Sequence, residues 1–578
     1  MRQLFFCKTI ITDSFKPYGR NRNGLHVFKE MTENKENKAY KILNIILTVG
    51  TFLLAAAIII LHITLIFDRV VWGDEAFSAN IIRGTNYAGI FERVYYLENH
   101  PPLYYYILRI FADLFGYKIP VYHLVSVLCF TGAAALALTG IRKKLGALPV
   151  AFFLVFAGLS STCSEYVQEI RMYELCFFLL TVCVFCTMHI LTDYRKKWPW
   201  IVYVICGVLA SYSHYYALVT AGILLFITSL AVFIREKGKT WLYGVVSIVS
   251  FLLLYGPWIS VMIRQMGYVK GSWWMDTPES LDKVLLYVFG DDYTKYVFIP
   301  LFCLFFVLAV LIELGIIKHR GESPAKIAFG KPSVKNLSDK GRIMTVLFAS
   351  AALVVIFAYV ICAVYKPILA VRYMYNIIPL LLGSFMVSLK IILDYVRPMG
   401  KVGIVGLAVI ILSGFVLLGA TLLDFKYYRS VSKTEAFMTE QTLGMIGTPG
   451  ENTVFTSLGV QHLSWTVLQY YYPDSEVYNL NPAAITDPYD EMWAFMADFL
   501  SDEEIEEMDK RGYDMVVYPE TRLGKYVSHL YHFVKRPEYL SGIKAEAIIG
   551  AKAETGEESE TRIKRRMPER IKTFGHSI

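Results

Sequence analysis

Ile42-Leu-Asn-Ile-Ile-Leu-Thr-Val-Gly-Thr-Phe-Leu-Leu-Ala-Ala-Ala-Ile-Ile-Ile-Leu-His-Ile-Thr-Leu-Ile-Phe67 carries no charge. At 1.5 Å per helical residue it exceeds the ~30 Å hydrocarbon core of a bilayer. Ten further apolar runs follow, near 120–141, 147–160, 174–191, 199–212, 217–234, 241–262, 297–317, 343–364, 373–393 and 402–423. The runs 147–160 and 199–212 are short and are expected to extend into their flanks. Hydrophobic residues make up 55% of the 578, charged residues only 18%, and mean hydropathy is +0.44, more apolar surface than a soluble core requires. The expected fold class is a polytopic α-helical membrane protein of about eleven transmembrane helices.

The basic clusters Arg142-Lys143-Lys144, Arg195-Lys196-Lys197, Arg235/Lys237/Lys239, the connection 318–342, and Lys390/Arg397/Lys401 fall in alternate connections. Positive residues are retained on the cytoplasmic side, so residues 1–41 are expected inside, and the loop 69–118 and everything beyond 424 outside. The net charge of +8 then reports topology. No basic and aromatic stripe of the kind that grips nucleic acid occurs outside the membrane loops. The end 551–578, with Lys564, Arg565 and Arg566, is expected to be disordered.

Seven of the nine cysteines lie in apolar runs, so no disulfide framework is implied. Cys183 and Cys186 spell C-x-x-C but sit within an apolar run with no neighbouring charge to lower a thiol pKa. The first 30 residues are mixed and polar, without the h-region of a cleavable signal, so the first span is expected to act as signal anchor, with translation starting at Met31.

The polar groups gather in four external patches. In the long loop 69–118, Asp74 and Glu75 open a short helix after Gly73, and Pro101-Pro102 favour the first turn of another. Along that second helix Leu103, Ile107, Ile110 and Leu114 recur at helical spacing, an amphipathic pattern suited to the membrane surface. Between the third and fourth spans lies Ser164-Glu-Tyr-Val-Gln-Glu-Ile-Arg-Met-Tyr173; Ser213-His-Tyr-Tyr216 follows the fifth; Tyr365-Lys-Pro-Ile-Leu-Ala-Val-Arg-Tyr373 precedes the tenth.

The ordered set of an acidic pair, H-P-P-L-Y-Y (100–105), Q-E-x-R-M-Y (168–173), S-H-Y-Y (213–216) and K-P-x-x-x-x-R-Y (366–373) resembles the GT-C glycosyltransferases. Within them it is similar to glycosyltransferase family 39 and its bacterial relatives, which include protein O-mannosyltransferases and the lipid A aminoarabinose transferase. The resemblance covers about 40–425. It implies transfer of a hexosyl or pentosyl group from a polyprenyl-phosphate donor, with inversion, to a lipid, glycan or protein acceptor on the external face. By match to the family pattern Asp74 is the expected base, with Glu75 orienting it or holding the acceptor. Arg372 suits the departing phosphate because a guanidinium pairs two oxygens without losing its charge; Lys366 and Arg171 supplement it. Glu169 is expected to orient Arg171 or a sugar hydroxyl, His100 to bond acceptor or phosphate, and Tyr173, His214, Tyr215 and Tyr373 to complete the binding surface.

Each residue type also has a plain structural use. Asp74 is equally placed to cap its helix, Arg372 to snorkel to headgroups, Glu169 and Arg171 to form an ion pair, and the tyrosines to form an interfacial belt. Glu165, Glu169 and His100 are compatible with a divalent metal, although no zinc-type spacing occurs. The alternative function is a polytopic transporter or lipid flippase, which would place its polar groups near the bilayer midplane.

Four segments are therefore expected: 1–41 cytoplasmic, 42–424 transmembrane with the loop 69–118, 425–550 external α/β, and 551–578 disordered. In the external domain, runs at 453–456, 476–480 and 513–518 alternate with helical stretches 461–471 and 503–510, which predicts a small α/β domain with a mainly parallel sheet. Its expected role is acceptor recognition or packing over the active-site mouth.

Overall fold

The computed structural model describes residues 22–236, 241–272, 275–320, 323–334, 337–460, 464–487 and 489–539. The expectations for the first residues and for the tail 551–578 fall outside them. The chain divides into two compact units, Met1–Val70 with Ser78–Thr434, and Val71–Phe77 with Glu435–Ile578.

The first unit is a multi-pass membrane fold. Nine helices among the described residues are long and apolar enough to cross a bilayer, the Ala147–Leu159 and Ser161–Gln168 pair adds a tenth if taken as one span, and Lys197–Ser211 is a shorter apolar helix. Every expected run thus has a helix, but the two short ones do not extend into straight spans. Large apolar side chains such as Leu53, Leu253, Val405 and Phe415 are exposed on the outer helices, as lipid contact requires. The segment Val371–Met399 is the most enclosed, 89% buried. Its helix Ile378–Val396 packs against Asp339–Val364, Asp292–Glu313, Tyr173–Thr192 and Ala147–Leu159. That packing holds the preceding 3-10 segment Val371–Ile377, which carries Arg372 and Tyr373.

The expected third span is bent by 66° between its halves. Ser160 leaves the helix with extended backbone, and its hydroxyl accepts from the Cys163 N–H, starting a new helix. Such a break frees carbonyls that lipid cannot satisfy. Here the Gly158 carbonyl accepts from His62 Nε2 at 2.7 Å and from Ser164 Oγ at 3.3 Å. Gln168 Nε2 donates to both His62 Nδ1 (2.9 Å) and the His62 carbonyl (3.0 Å), so His62 is neutral with its proton on Nε2.

The loop after the first span contains three helices, Gly73–Ile82, Tyr87–Leu97 and Leu103–Phe115. The sequence pattern shows the first and third; Tyr87–Leu97, capped by Asn86 accepting from the Gly89 N–H, is additional. On Leu103–Phe115, Ile110 and Leu114 are exposed while Tyr104, Tyr105, Leu108 and Ala112 are buried, so the helix has two apolar faces, one inside the protein. The basic connection 318–342 includes an antiparallel hairpin, β1 (Ile317–Arg320) and β2 (Ser323–Phe329).

The second unit is built on β3 (Thr453–Leu458), β4 (Glu476–Tyr478), β5 (Glu491–Met496), β6 (Tyr513–Leu523) and β7 (Tyr526–Lys535), in spatial order β4-β3-β5-β7-β6. β3 runs parallel to β4 and β5, while β7 is antiparallel to β5 and β6, so the expected mainly parallel sheet is instead mixed. The cause is the two-residue connection Gly524-Lys525. With Gly524 at φ +61° it turns β6 directly back into β7, which a parallel pairing cannot do. Helix Asp502–Lys510 starts from a capping box between Ser501 and Glu504.

His62→Leu removes a donor and an acceptor from a buried apolar setting, leaving the Gly158 carbonyl and the Gln168 amide underpaired. The expected cost is about 1–3 kcal/mol. A lowered thermal midpoint in detergent for His62→Leu, with Trp198→Phe as a half-exposed control, checks it.

Candidate active site

The first unit gathers polar side chains from its loops around a residue without a marked local sequence signal. Glu98 terminates the helix Tyr87–Leu97 and is buried. Its Oε1 accepts from His100 Nδ1 at 2.6 Å and from the Asn99 N–H at 2.8 Å, and its Oε2 accepts from Tyr105 OH at 2.6 Å. Arg171 Nη1 lies 3.5 Å from the same Oε2 and donates to Ser78 Oγ (3.2 Å) and Tyr105 OH (3.3 Å). Arg171 Nη2 sits 3.3 Å from His100 Nδ1. The available sequence signal was a lone carboxylate two residues before a histidine and Pro-Pro; the spacing places both on one turn.

Burial alone would raise the Glu98 pKa, yet the positive charges of His100 and Arg171 and the two side-chain hydrogen bonds hold its carboxyl well below the usual range. Burial lowers His100, and Arg171 and Arg372 oppose its protonation against the pull of Glu98.

A set of rings adjoins this cluster. The His214 ring lies 5.0 Å from that of His100, 5.4 Å from Tyr173 and 5.2 Å from Tyr373, which stacks on Tyr216 at 5.2 Å. His214 Nδ1 accepts from the Tyr216 N–H. Burial, with His100, Arg171 and Arg372, holds His214 well below its ordinary pKa. The Arg372 guanidinium lies 5.8 Å from the Tyr373 ring centre. Tyr215 donates to Gln265 Oε1 and accepts from Trp258 Nε1, and Gln265 Nε2 donates to the Glu98 carbonyl at 2.8 Å. Gln265 is a second such residue, in a helix whose local sequence carries no site signal. Asn99, His100, His214, Tyr216, Gln265 and Tyr373 are among the residues lining a cavity of about 90 Å³.

Of the expected binding residues, His100, Arg171, Tyr173, His214, Tyr215, Arg372 and Tyr373 thus come together. Glu169 is buried, and Arg171 forms an ion pair with Glu98. The Lys366 side chain makes no hydrogen bond or ion pair among the described residues. Nor do these contain any group of three or more His, Cys, Asp or Glu side chains placed to hold a metal.

Asp74 and Glu75 stand in the second unit, on the first turn of helix Gly73–Ile82. Both are buried. Glu75 Oε2 accepts from the Trp72 N–H at 3.2 Å, so it closes the helix start. The Gly73 N–H donates to Tyr526 OH at 3.2 Å, its carbonyl accepts from Thr466 Oγ1 at 2.9 Å, and Lys525 Nζ sits 4.8 Å from the Trp72 ring centre. Burial and the nearby Asp74 charge push Tyr526 up to about 12, so it remains a hydroxyl donor at every physiological pH.

No family model matches the chain, and no curated protein matches its sequence. Its fold does have solved counterparts. ArnT from Cupriavidus metallidurans bound to undecaprenyl phosphate aligns with a TM-score of 0.52 and 11% identity, over 84% of this chain and 98% of that one. ArnT of the same organism in the apo state aligns at 0.48 and 12%, over 83% and 98%. The first likeness shows the fold, which is of the GT-C type that the ordered motifs led us to expect.

His100 and His214 bind fewer protons folded than unfolded, so stability is full above about pH 6.5 and falls as pH drops below it. Depression of Glu98 acts in the same sense at lower pH, its contribution being present above about 4.5. Thermal midpoints measured from pH 7.5 to 5.0 are therefore expected to decline, and His214→Asn to flatten the decline.

Proposed function

We propose that the protein is a membrane glycosyltransferase that moves a sugar from a polyprenyl-phosphate donor to an acceptor on the extracytoplasmic face. The observation that carries this reading is the meeting of Arg171 and Arg372 at His100, His214 and the ring set, within the fold of a protein solved bound to undecaprenyl phosphate. Guanidinium groups pair phosphate oxygens without losing their charge.

In the proposed reaction the acceptor's nucleophilic atom attacks the anomeric carbon from the face opposite the phosphate, and the configuration inverts. The bond from that carbon to the phosphate oxygen breaks, its electron pair leaving with the lipid phosphate. Asp74 accepts the acceptor proton, and Glu75 positions its helix turn. Arg372 and Arg171 hold the charge that grows on the leaving phosphate, where fixed cations in a dry site act most strongly. His100 Nε2 and His214 meet polar groups of the substrates, and Tyr173, Tyr215, Tyr216 and Tyr373 offer ring faces to the sugar. Glu98 is a positioning residue, since its carboxylate holds both His100 and Arg171. Topology follows the distribution of Lys and Arg, with the N-terminus cytoplasmic and the residues beyond 424 outside. The broken span is the one feature a transporter would share, but its freed carbonyl is taken up by His62 rather than left lining a path.

The test is turnover in liposomes with a panel of labelled polyprenyl-phosphate sugars. Asp74→Asn is expected to bind donor normally and to lose at least ~10²-fold in rate, the usual share of a positioned base. Arg372→Ala is expected to weaken donor binding as well. Glu98→Gln is expected to raise KM for the donor more than it lowers kcat, and to alter the acid limb of the pH profile. Full activity of Asp74→Asn and Arg372→Ala would overturn the reading.

A further inference from the structure

The helix Tyr173–Thr192 carries a carboxyl that the proposed reaction does not use. Glu174 lies in its first turn and is fully buried. Its Oε2 accepts from Tyr375 OH at 2.7 Å, and among the described residues its Oε1 has no protein partner. The thiols of Cys129, Cys163 and Cys176 adjoin it. An ionisable side chain at such a place costs stability, and packing alone would be better served by a leucine.

The position of its partner gives the carboxyl a use. Tyr375 belongs to the 3-10 segment Val371–Ile377, which packs against Tyr173–Thr192. Side chains three residues apart eclipse in a 3-10 helix, so Tyr375 stands one turn deeper than Arg372 on the same face. On the other element Arg171 precedes Glu174 by three residues, just outside the helix. The hydrogen bond therefore joins the two elements about one turn deeper than the two arginines. Tyr173, next to Glu174, lies in the field of both Arg372 and Arg171. The Tyr166 ring fills the same junction, 4.9 Å from that of Tyr173 and 4.5 Å from that of Tyr375.

We propose that Glu174 is a positioning residue whose hydrogen bond with Tyr375 sets the separation of Arg171 and Arg372, and through it the grip on a lipid phosphate. Internal hydrogen bonds of a 3-10 segment have poor geometry, so a tie to a neighbouring helix fixes where its side chains stand. This role presupposes the transfer reading, whereas the tie between segment and helix does not.

Binding of undecaprenyl phosphate to the full-length protein in detergent, together with amide hydrogen exchange over 371–377, tests this. Tyr375→Phe and Glu174→Leu are expected to weaken binding about 3- to 10-fold, a usual scale for partners in one hydrogen-bonded network, and to speed exchange across the segment. Glu174→Gln keeps an oxygen for the Tyr375 hydroxyl and is expected to stay within about twofold of wild type. In an Arg372→Ala background Tyr375→Phe is expected to cost nothing further. Thr187→Val, buried further along the same helix, controls for lost packing and is expected to leave both readouts unchanged. Unchanged exchange in Tyr375→Phe, a loss as large in Glu174→Gln as in Glu174→Leu, or a loss that adds fully to that of Arg372→Ala would overturn the proposal. Wild type that fails to bind undecaprenyl phosphate would overturn the transfer reading and this role with it, whereas wild-type binding left unchanged by Tyr375→Phe would overturn this role alone. Tyr375→Phe, which removes one hydroxyl, decides the matter should Glu174→Leu fail to fold.

Discussion

Inside hydrocarbon a peptide carbonyl has only the protein to bond with. Straight spans meet this demand by themselves; the third does not, because Ser160 ends one helix and begins another at 66°. The resolution lies more than ninety residues earlier, in the one ionisable-type side chain of the first apolar run. His62 turns Nε2 toward the Gly158 carbonyl and offers Nδ1 to Gln168. The first span and the broken one are thereby locked, and Gln168 and its neighbours Glu169 and Arg171 are carried to the end of the bundle where the site lies. His123, whose Nδ1 meets the Gln168 carbonyl, ties the second span to the same point.

From there the site follows by charge. Arg171 arrives buried and needs a carboxylate; Glu98 provides it and orders His100 and Tyr105 as it does so. The enclosed helix Ile378–Val396 holds the opposite wall, with Tyr373 and Arg372 in the segment before it. The ring set lies between, with His214 against both His100 and Tyr373, and the two arginines act on both histidines there. Charged and titratable groups gathered in this way mark a functional site more often than a scaffold.

Much of this was visible beforehand, for physical reasons. Apolar length identifies a span because nothing else in a chain needs about twenty apolar residues in a row. Ordered polar patches at span ends must share a face once the spans alternate, so His100, Arg171, His214 and Arg372 were legible as neighbours. Glu98 was not, since a lone carboxylate in Tyr-Leu-Glu-Asn has no local feature to separate it from a solvated one. Its importance comes entirely from tertiary partners. In the second unit, β5 reads Glu-Met-Trp-Ala-Phe-Met, without the β-branched residues that mark a strand, and β7 hides its alternation behind His529 and His532. Missing these two strands is what made the sheet look parallel.

The cavity beside His100 and His214, at about 90 Å³, is well below the roughly 300 Å³ at which ligand pockets begin. Tyr373, His214, Tyr216 and Gln265 line it from three separate segments, so none widens it alone. Entry to this space requires those rings to part, so conditions that stiffen the surrounding bilayer slow whatever must pass them.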